Sequence, residues 1–571
     1  MRLKIIRIIV IIAFIIIALD LVYVQAVKGK YYFNLSTNNR IRVVPLEGWR
    51  GKIFDRNGVV LAENRVAYDV TITPQAVEDR DHLFAFLSGA LGISQTRLLA
   101  RFKAKKHTPF APVVIADDIE REKAIIIEEN RFRYPSLFVE EVFKREYPLG
   151  QNSSHVIGYV GKVNRDLMKR YKKYGYSPLS DVGKSGVEEF YDLDLRGEQG
   201  GYQIEVNSRG QQVRLLSIRE PTRGGDITLT IDSRIQDIAM DVMEDLPGSI
   251  IVIDTENGEV LSLSSFPDFD PNALVNPRRS KDASALFRNS LSPLINRAIS
   301  SRFPPGSVFK IPVAICALDT GKITENTTYH CPGYHQVGGI RFGCTSAHGD
   351  QNLIEAIAHS CNVYFYHLGL VLGADLLHEY ATKFGLGQKT EIDLPYEREG
   401  RIPNRKQGIL SRNRPWYTGD TLNFVIGQGD VLTTPLQLVH MMATISNGGV
   451  EVQPHVIKDI GGIPSTKYNH ARELKIDKKS LLKAQQGLRA TVTEYTGTAH
   501  ELENPELYIA GKTGTAQSAP NKEHHAWFVG YAKGRNKNVA FCVFLEHGGS
   551  SHNAVAIARR FLLRLNEEGL I

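Results

Sequence analysis

The chain has 571 residues, 42% hydrophobic and 23% charged, a globular composition that excludes a disordered or collagen-like protein. Sixty-nine basic against 62 acidic residues leave a net charge of +7, too mild to require a polyanion, so no nucleic-acid partner is expected. Five cysteines over this length cannot form a dense disulfide framework.

Arg2, Lys4 and Arg7 precede twelve uncharged apolar residues, 8–19, and the apolar character continues to Val27 with Asp20 and Gln25 as interruptions. Twenty residues at 1.5 Å each match a hydrocarbon core about 30 Å thick. The expectation is a cytoplasmic tail (1–7), a single uncleaved anchor (8–27) and an exported remainder, because the positive charges precede the span. A cleaved signal peptide is the competing reading of the same residues. Asp20 is expected near the outer interface.

Residues 28–225 mix short strands with charged helical stretches and read as a non-catalytic scaffold. Within them, 51–70 reads as strand, turn, strand, with Asp55-Arg56-Asn57-Gly58 as the turn. The basic runs 101–106 and 169–173 read as solvated faces. From 226 the texture changes. A strand at 227–231 and a helix at 234–246 lead to a hairpin signal, 249–254 and 260–265 around Glu256-Asn257-Gly258. Later helices alternate with strands, and the chain ends in a helix over 553–565. The pattern predicts an α+β fold, an antiparallel sheet covered by helices on both sides.

Three short motifs carry the chemistry of this second region. Phe303-Pro304-Pro305-Gly306-Ser307-Val308-Phe309-Lys310 opens an apolar helix, and on a helix Ser307 and Lys310 share a face. A serine hydroxyl needs a base to take its proton, and a lysine serves if burial and the helix N-terminus lower its pKa. Ser360-Cys361-Asn362 follows Ser307 by 53 residues, and Lys512-Thr513-Gly514-Thr515 follows Ser360 by 152. Singly, such motifs recur by chance. Ser480-Leu481-Leu482-Lys483 lacks the Pro-Gly entry and reads as an exposed helix surface, while Ser36-Thr37-Asn38 and Ser551-His552-Asn553 also fit Ser-x-Asn. Lys-Thr-Gly occurs once.

In this order and context the three motifs resemble those of the penicillin-binding protein and β-lactamase group of serine acyl-transferases. Arg50-Gly51-Lys52-Ile53-Phe54-Asp55-Arg56-Asn57-Gly58, residues 183–188 and 195–200, Gly427-Gln428-Gly429 and Thr434-Pro435-Leu436-Gln437 extend the resemblance to the class B penicillin-binding proteins. Residues 155–160 and 360–366 are most similar to the elongation type, penicillin-binding protein 2. The resemblance implies a pedestal of dimerisation type (28–225), a transpeptidase domain (226–571) and peptidoglycan D,D-transpeptidation with release of D-alanine. It further implies Ser307 as nucleophile, Lys310 as base, Ser360 as proton relay and Asn362 as holder of Lys310 and the substrate backbone. Lys512, Thr513 and Thr515 would receive the substrate carboxylate, with Gly514 between them. Backbone N–H groups of Ser307 and Thr515 would form the oxyanion hole. Strand alternation puts Lys512 and Thr513 on opposite faces, so both serve one pocket only at a sheet edge. Implied partners are lipid-linked glycan strands with their stem peptides, β-lactams as inhibitors, a polytopic glycosyltransferase of the SEDS type, and cell-shape scaffold proteins. A division-type transpeptidase, a hydrolysing D,D-carboxypeptidase or β-lactamase, and a β-lactam-binding sensor are the alternatives.

No cofactor is needed for this chemistry. Cys331, Cys344, His348 and Cys361 nevertheless form C-x12-C-x3-H-x12-C, a donor set suited to structural zinc, with a disulfide or free thiols as competing readings. Cys316 and Cys542 read as core residues, and His524 and His525 as exposed loop histidines.

Overall fold

The computed structural model describes residues 2–32, 41–46, 48–105, 112–163, 168–169, 176, 180–206, 212–244, 246–406, 414–468 and 470–571. The Ser36-Thr37-Asn38 motif, Lys106 and residues 170–173 of the second basic run lie outside them. The chain divides into two compact units. One comprises Met1–Arg50, Arg65–Lys144 and Arg196–Gly224; the other comprises Gly51–Asn64, Arg145–Leu195 and Gly225–Ile571. Two segments of the 28–225 stretch thus belong to the unit that carries the three motifs.

In the first unit, helix Arg2–Val22 continues into a π-helical turn, Tyr23–Val27. Residues Lys4–Val27 form one apolar stretch of 24 residues with none of it buried, about 36 Å at 1.5 Å per residue and long enough to cross a bilayer. Asp20 lies on its exposed surface near the C-terminal end. A separate core gathers Val70, Ile72, Phe84, Leu87, Leu98, Ile115 and Ile127 from strands Val60–Ile72 and Val113–Ile119 and helices Arg80–Leu91, Gln95–Lys105 and Arg121–Glu129. Strands Ile41–Leu46, Gly200–Val206 and Gln212–Arg219 form a three-stranded antiparallel sheet.

The second unit is built on a five-stranded antiparallel sheet. Its strands are β1 (Gly248–Asp254), β2 (Val260–Phe266), β3 (Tyr508–Ala516), β4 (His525–Lys533) and β5 (Asn538–Leu545), in the order β2-β1-β5-β4-β3. The expected hairpin is β1 and β2, paired from Gly248 with Phe266 to Ile253 with Val260. Successive residues point to opposite faces, and both faces are covered. Ile250, Val252, Phe528, Phe541 and Val543 pack against helix Ser233–Met243 and the C-terminal helix Ser551–Glu567. Ile251, Ile253, Val529, Cys542 and Phe544 pack into a larger core with helix Lys310–Asp319 and helix Pro435–Ser446. This double burial explains why the strands read as continuous apolar runs. The fold is α+β, as the sequence pattern predicts. Strand β3 stands at the sheet edge, which satisfies the condition its alternation imposes on Lys512 and Thr513.

Asp55 closes the early strand–turn–strand: its Oδ1 accepts from the backbone N–H groups of Asn57 and Val59, both at 2.8 Å. Its Oδ2 accepts from the Ser233 hydroxyl at 2.9 Å. The buried pair Arg145–Glu188, at 2.6 Å, ties two further early segments together, with Arg145 also donating to the Gly51 carbonyl at 2.7 Å.

Candidate active site

The Pro-Gly entry is pinned from several sides. Phe303 exchanges both backbone hydrogen bonds with Thr433, the Trp527 indole donates to the Pro304 carbonyl at 3.1 Å, and Gly306 N–H donates to Gly427 at 3.0 Å. Residues Gly306–Phe309 form a single 3-10 turn, and the α-helix starts at Lys310, so Ser307 lies on the turn that leads into the helix. This turn lies against β3. A side chain on Gly306, whose φ is +54°, would come 2.7 Å from the Thr515 carbonyl, and one on Gly514 would come 2.8 Å from that of Pro305. Both glycines are therefore required for the backbone approach that sets Ser307 beside Lys-Thr-Gly.

Lys310 is fully buried. Its Nζ donates to the Ser360 carbonyl at 2.7 Å, to Asn362 Oδ1 at 2.7 Å and to Ser360 Oγ at 3.2 Å. Burial lowers its pKa to about 8. Ser307 Oγ makes no hydrogen bond among the described residues, so the resting amine is turned to the Ser360 corner, where three acceptors outbid one hydroxyl. Catalytic hydrogen bonds commonly tighten only when substrate binds. Ser360 is held at φ +55°, the left-handed region that a non-glycine residue adopts at a cost. Asn362 Nδ2 donates to the Gly343 carbonyl at 3.2 Å, and the Tyr366 hydroxyl donates to the same carbonyl at 3.1 Å. Because the Gly343 carbonyl can only accept, the amide turns its nitrogen to it and presents its oxygen to Lys310.

Lys512 is also fully buried, and its pKa is well below the ordinary range because of burial and, secondarily, the charge of Lys310. Its Nζ lies 3.3 Å from the Thr513 carbonyl and 3.4 Å from Thr513 Oγ1. Thr515 is exposed, and its hydroxyl accepts from Ser551 N–H at 3.3 Å. All three motifs converge on one site at the sheet edge.

Behind the Ser360 corner lies the cysteine cluster. The donor atoms of Cys331, Cys344, His348 and Cys361 fall within 4.8 Å of one another. His348 Nδ1 is 3.5 Å from both Cys331 Sγ and Cys344 Sγ, and Cys344 and Cys361 Sγ are 4.0 Å apart. Tetrahedral zinc–sulfur and zinc–nitrogen bonds place such donors about 3.8 and about 3.6 Å apart. All five cysteines are free of disulfides. His348 Nε2 is occupied by Ser346 Oγ at 2.9 Å, which leaves Nδ1 facing the thiols. The Cys344 thiol is shifted toward thiolate, first by the hydrogen bond from Cys361, with the Val363 and Asn362 N–H groups assisting. Cys361 is also the N-cap of helix Asn362–Lys383, accepting from Tyr364 N–H at 3.5 Å. The donors fit a structural zinc ion.

Other sequence candidates lie elsewhere or differ from expectation. Ser480 is not on an exposed surface. It is buried at the start of helix Lys478–Thr493, bonded through N–H and Oγ to Asp477, while Lys483 pairs with Glu325. His525 is not an exposed loop residue either, because β4 begins at it and packs its ring against Phe303 and Phe544. His524 is exposed, and Cys316 and Cys542 are core residues, as expected. Sequence reasoning missed the Gly343 carbonyl, His359, which bonds to Thr496, and the 496–498 turn. A backbone acceptor has no residue signature, and the others carry no motif.

Ser307 on the turn before Lys310, with Lys310 and Lys512 both buried and Lys512 on the edge strand, is the arrangement that serine-type acyl transfer requires. Residues 248–563 match the penicillin-binding protein transpeptidase domain, and residues 45–229 match the penicillin-binding protein dimerisation domain. The chain is 33% identical to the peptidoglycan D,D-transpeptidase MrdA of Acinetobacter baumannii, over 96% of this chain and 85% of that one. It is similar to penicillin-binding protein 2 of Helicobacter pylori solved in complex with MreC, with 29% identity, TM-score 0.84, and coverage of 93% and 100%. A structure from a peptidoglycan synthase complex that coordinates polymerization and crosslinking is 31% identical, with TM-score 0.75 and coverage of 99% and 98%. The chain belongs to the class B penicillin-binding proteins, in the group of penicillin-binding protein 2.

Proposed function

We propose that the chain is the peptidoglycan D,D-transpeptidase of cell elongation, anchored by residues 8–27 with its N-terminus in the cytoplasm and its cleft outside. The observation that carries this reading is Lys310, dry, held by Ser360 and Asn362, and directly following the turn that carries Ser307. A neutral Lys310 amine takes the Ser307 proton as Oγ attacks the penultimate D-alanine carbonyl of a stem peptide. The Ser307 and Thr515 N–H groups hold the oxyanion; losing one such donor costs about 10²–10³ in rate. Ser360 Oγ, in contact with Lys310, passes a proton to the leaving amine, and D-alanine departs. An amine of a neighbouring stem then attacks the ester, forming the cross-link and freeing Ser307. Lys512, Thr513 and Thr515 bind the terminal carboxylate.

Cys331, Cys344, His348 and Cys361 hold zinc, which braces the loop carrying Ser360 and Asn362 and takes no part in the reaction. The membrane span and the family suit partners of two kinds, a glycan-polymerising glycosyltransferase and a cell-shape scaffold protein. The second matches the MreC seen on the Helicobacter protein.

The test is acylation by a labelled penicillin together with cross-linking of lipid-linked glycan. Ser307→Ala should abolish both, and Ser480→Ala should leave both intact. Cells living on Ser307→Ala should round up; filaments would reassign the role to division, and an unchanged label would remove Ser307 from the chemistry.

A further inference from the structure

The turn that joins helix Lys478–Thr493 to β3 belongs to none of the three motifs, yet it touches two of them. Thr498 N–H donates to the Ala358 carbonyl at 3.2 Å, two residues before Ser360. Thr496 Oγ1, in the same turn, lies 2.8 Å from His359 Nε2, and His359 Nδ1 is bonded to Gln351 at 2.7 Å. The Thr498 hydroxyl lies 2.8 Å from the Thr513 hydroxyl of Lys-Thr-Gly. One residue therefore links the Ser-x-Asn segment to Lys-Thr-Gly, by its backbone on one side and its side chain on the other.

Counting protons gives this contact a consequence. Two hydroxyls bring two protons, and a single hydrogen bond between them uses one. Thr513 Oγ1 also accepts from Lys512 Nζ at 3.4 Å. When Thr498 donates to Thr513, both lone pairs of Thr513 Oγ1 are taken and its own proton must point away from Lys512 and Thr498. Among the described residues no protein acceptor takes that proton. An anionic oxygen approaching the pair would collect it.

Resting on the reading of this cleft as the receptor of a peptide carboxylate, we propose that Thr498 is a further specificity-determining residue, a positioning hydroxyl that turns the Thr513 proton toward that carboxylate. It acts through Thr513 and does not touch the reacting carbonyl.

The experiment compares the second-order acylation of the full-length protein by benzylpenicillin and by its methyl ester, which lacks the anion. Thr498→Val keeps the β-branched shape and the backbone bond to Ala358 and removes only the hydroxyl. It should slow acylation by the acid about tenfold, the scale of one hydrogen bond to a charged group, and leave the ester rate within twofold. Thr498→Ser should restore the preference for the acid. Equal slowing of both probes by Thr498→Val would mean a merely structural role and overturn the proposal, as would no change in either. If the unmodified protein itself does not prefer the acid, the carboxylate reading of the cleft falls, and this inference with it.

Discussion

At the residue scale, the chemistry depends on one amine being neutral often enough to accept a proton. Burial brings Lys310 to about 8 against the ordinary 10.5 for lysine, so at pH 7 about a tenth of it is unprotonated. The reactive form is the neutral one, so activity must rise with pH and saturate above the folded-state pKa. Acylation of Ser307 should therefore increase about tenfold from pH 6 to 7 and level off above about pH 8.5, read as the rate constant for a labelled penicillin. A profile flat from pH 6 to 9, or one rising only near 10, would show that Lys310 is not the base. Residues of this kind are legible in a sequence because the reaction demands particular side chains close together. Their partners are less so. Asn362 is oriented by the Gly343 carbonyl, and no residue type at position 343 announces that bond.

At the element scale, helix Asn362–Lys383 starts where three demands meet: the N-cap, the Ser-x-Asn corner and the cysteine cluster. Cys361 supplies both the cap and a metal donor, and the two roles separate by substitution. Serine caps helices well but is a poor zinc ligand. Cys361→Ser should retain the helical circular dichroism and lose the bound zinc, measured as metal per chain after dialysis. Cys361→Ala should lose the zinc and a further ~1 kcal/mol of stability, the usual worth of a cap. Equal zinc content in the serine variant and the unmodified chain would show that Cys361 is not a ligand. Element existence was largely legible, because both sheet faces are buried and periodicity is strong. The start of β4 was not. Its first residue is a histidine whose burial depends on Phe303, 222 positions away in the chain, and local polarity argues for a loop. Ser480 differs from expectation for a related reason, since a serine in the first helical turn that bonds to the capping Asp477 can be buried while its helix looks amphipathic and exposed.

At the scale of the whole molecule, stability should carry a histidine signature independent of catalysis. His155 is buried, its Nε2 sits 2.7 Å from the Pro293 carbonyl, and its ring meets Phe269 edge-on at 5.1 Å. Burial is the main cause that brings its pKa to about 4 from 6.5, with the Arg297 charge acting in the same direction. The folded chain therefore binds fewer protons here than the unfolded chain. The contribution is fully present above pH 6.5, declines as pH falls through the unfolded value, and is exhausted once the pH passes below about 4. Between pH 7.5 and 5 the loss from this one ring amounts to about 2 kcal/mol. Buried His440 and His525 are shifted the same way by burial and steepen the decline. Carboxylates titrate in the same region, so the comparison must be between variants rather than between pH values alone. His155→Gln can still donate to Pro293 but cannot charge. Urea unfolding of the detergent-solubilised chain, followed at pH 7.5 and pH 5, should show the variant losing about 2 kcal/mol less than the unmodified protein over that interval. Parallel losses in the two proteins would mean that His155 titrates alike in both states, and that the ring is hydrated in the native protein.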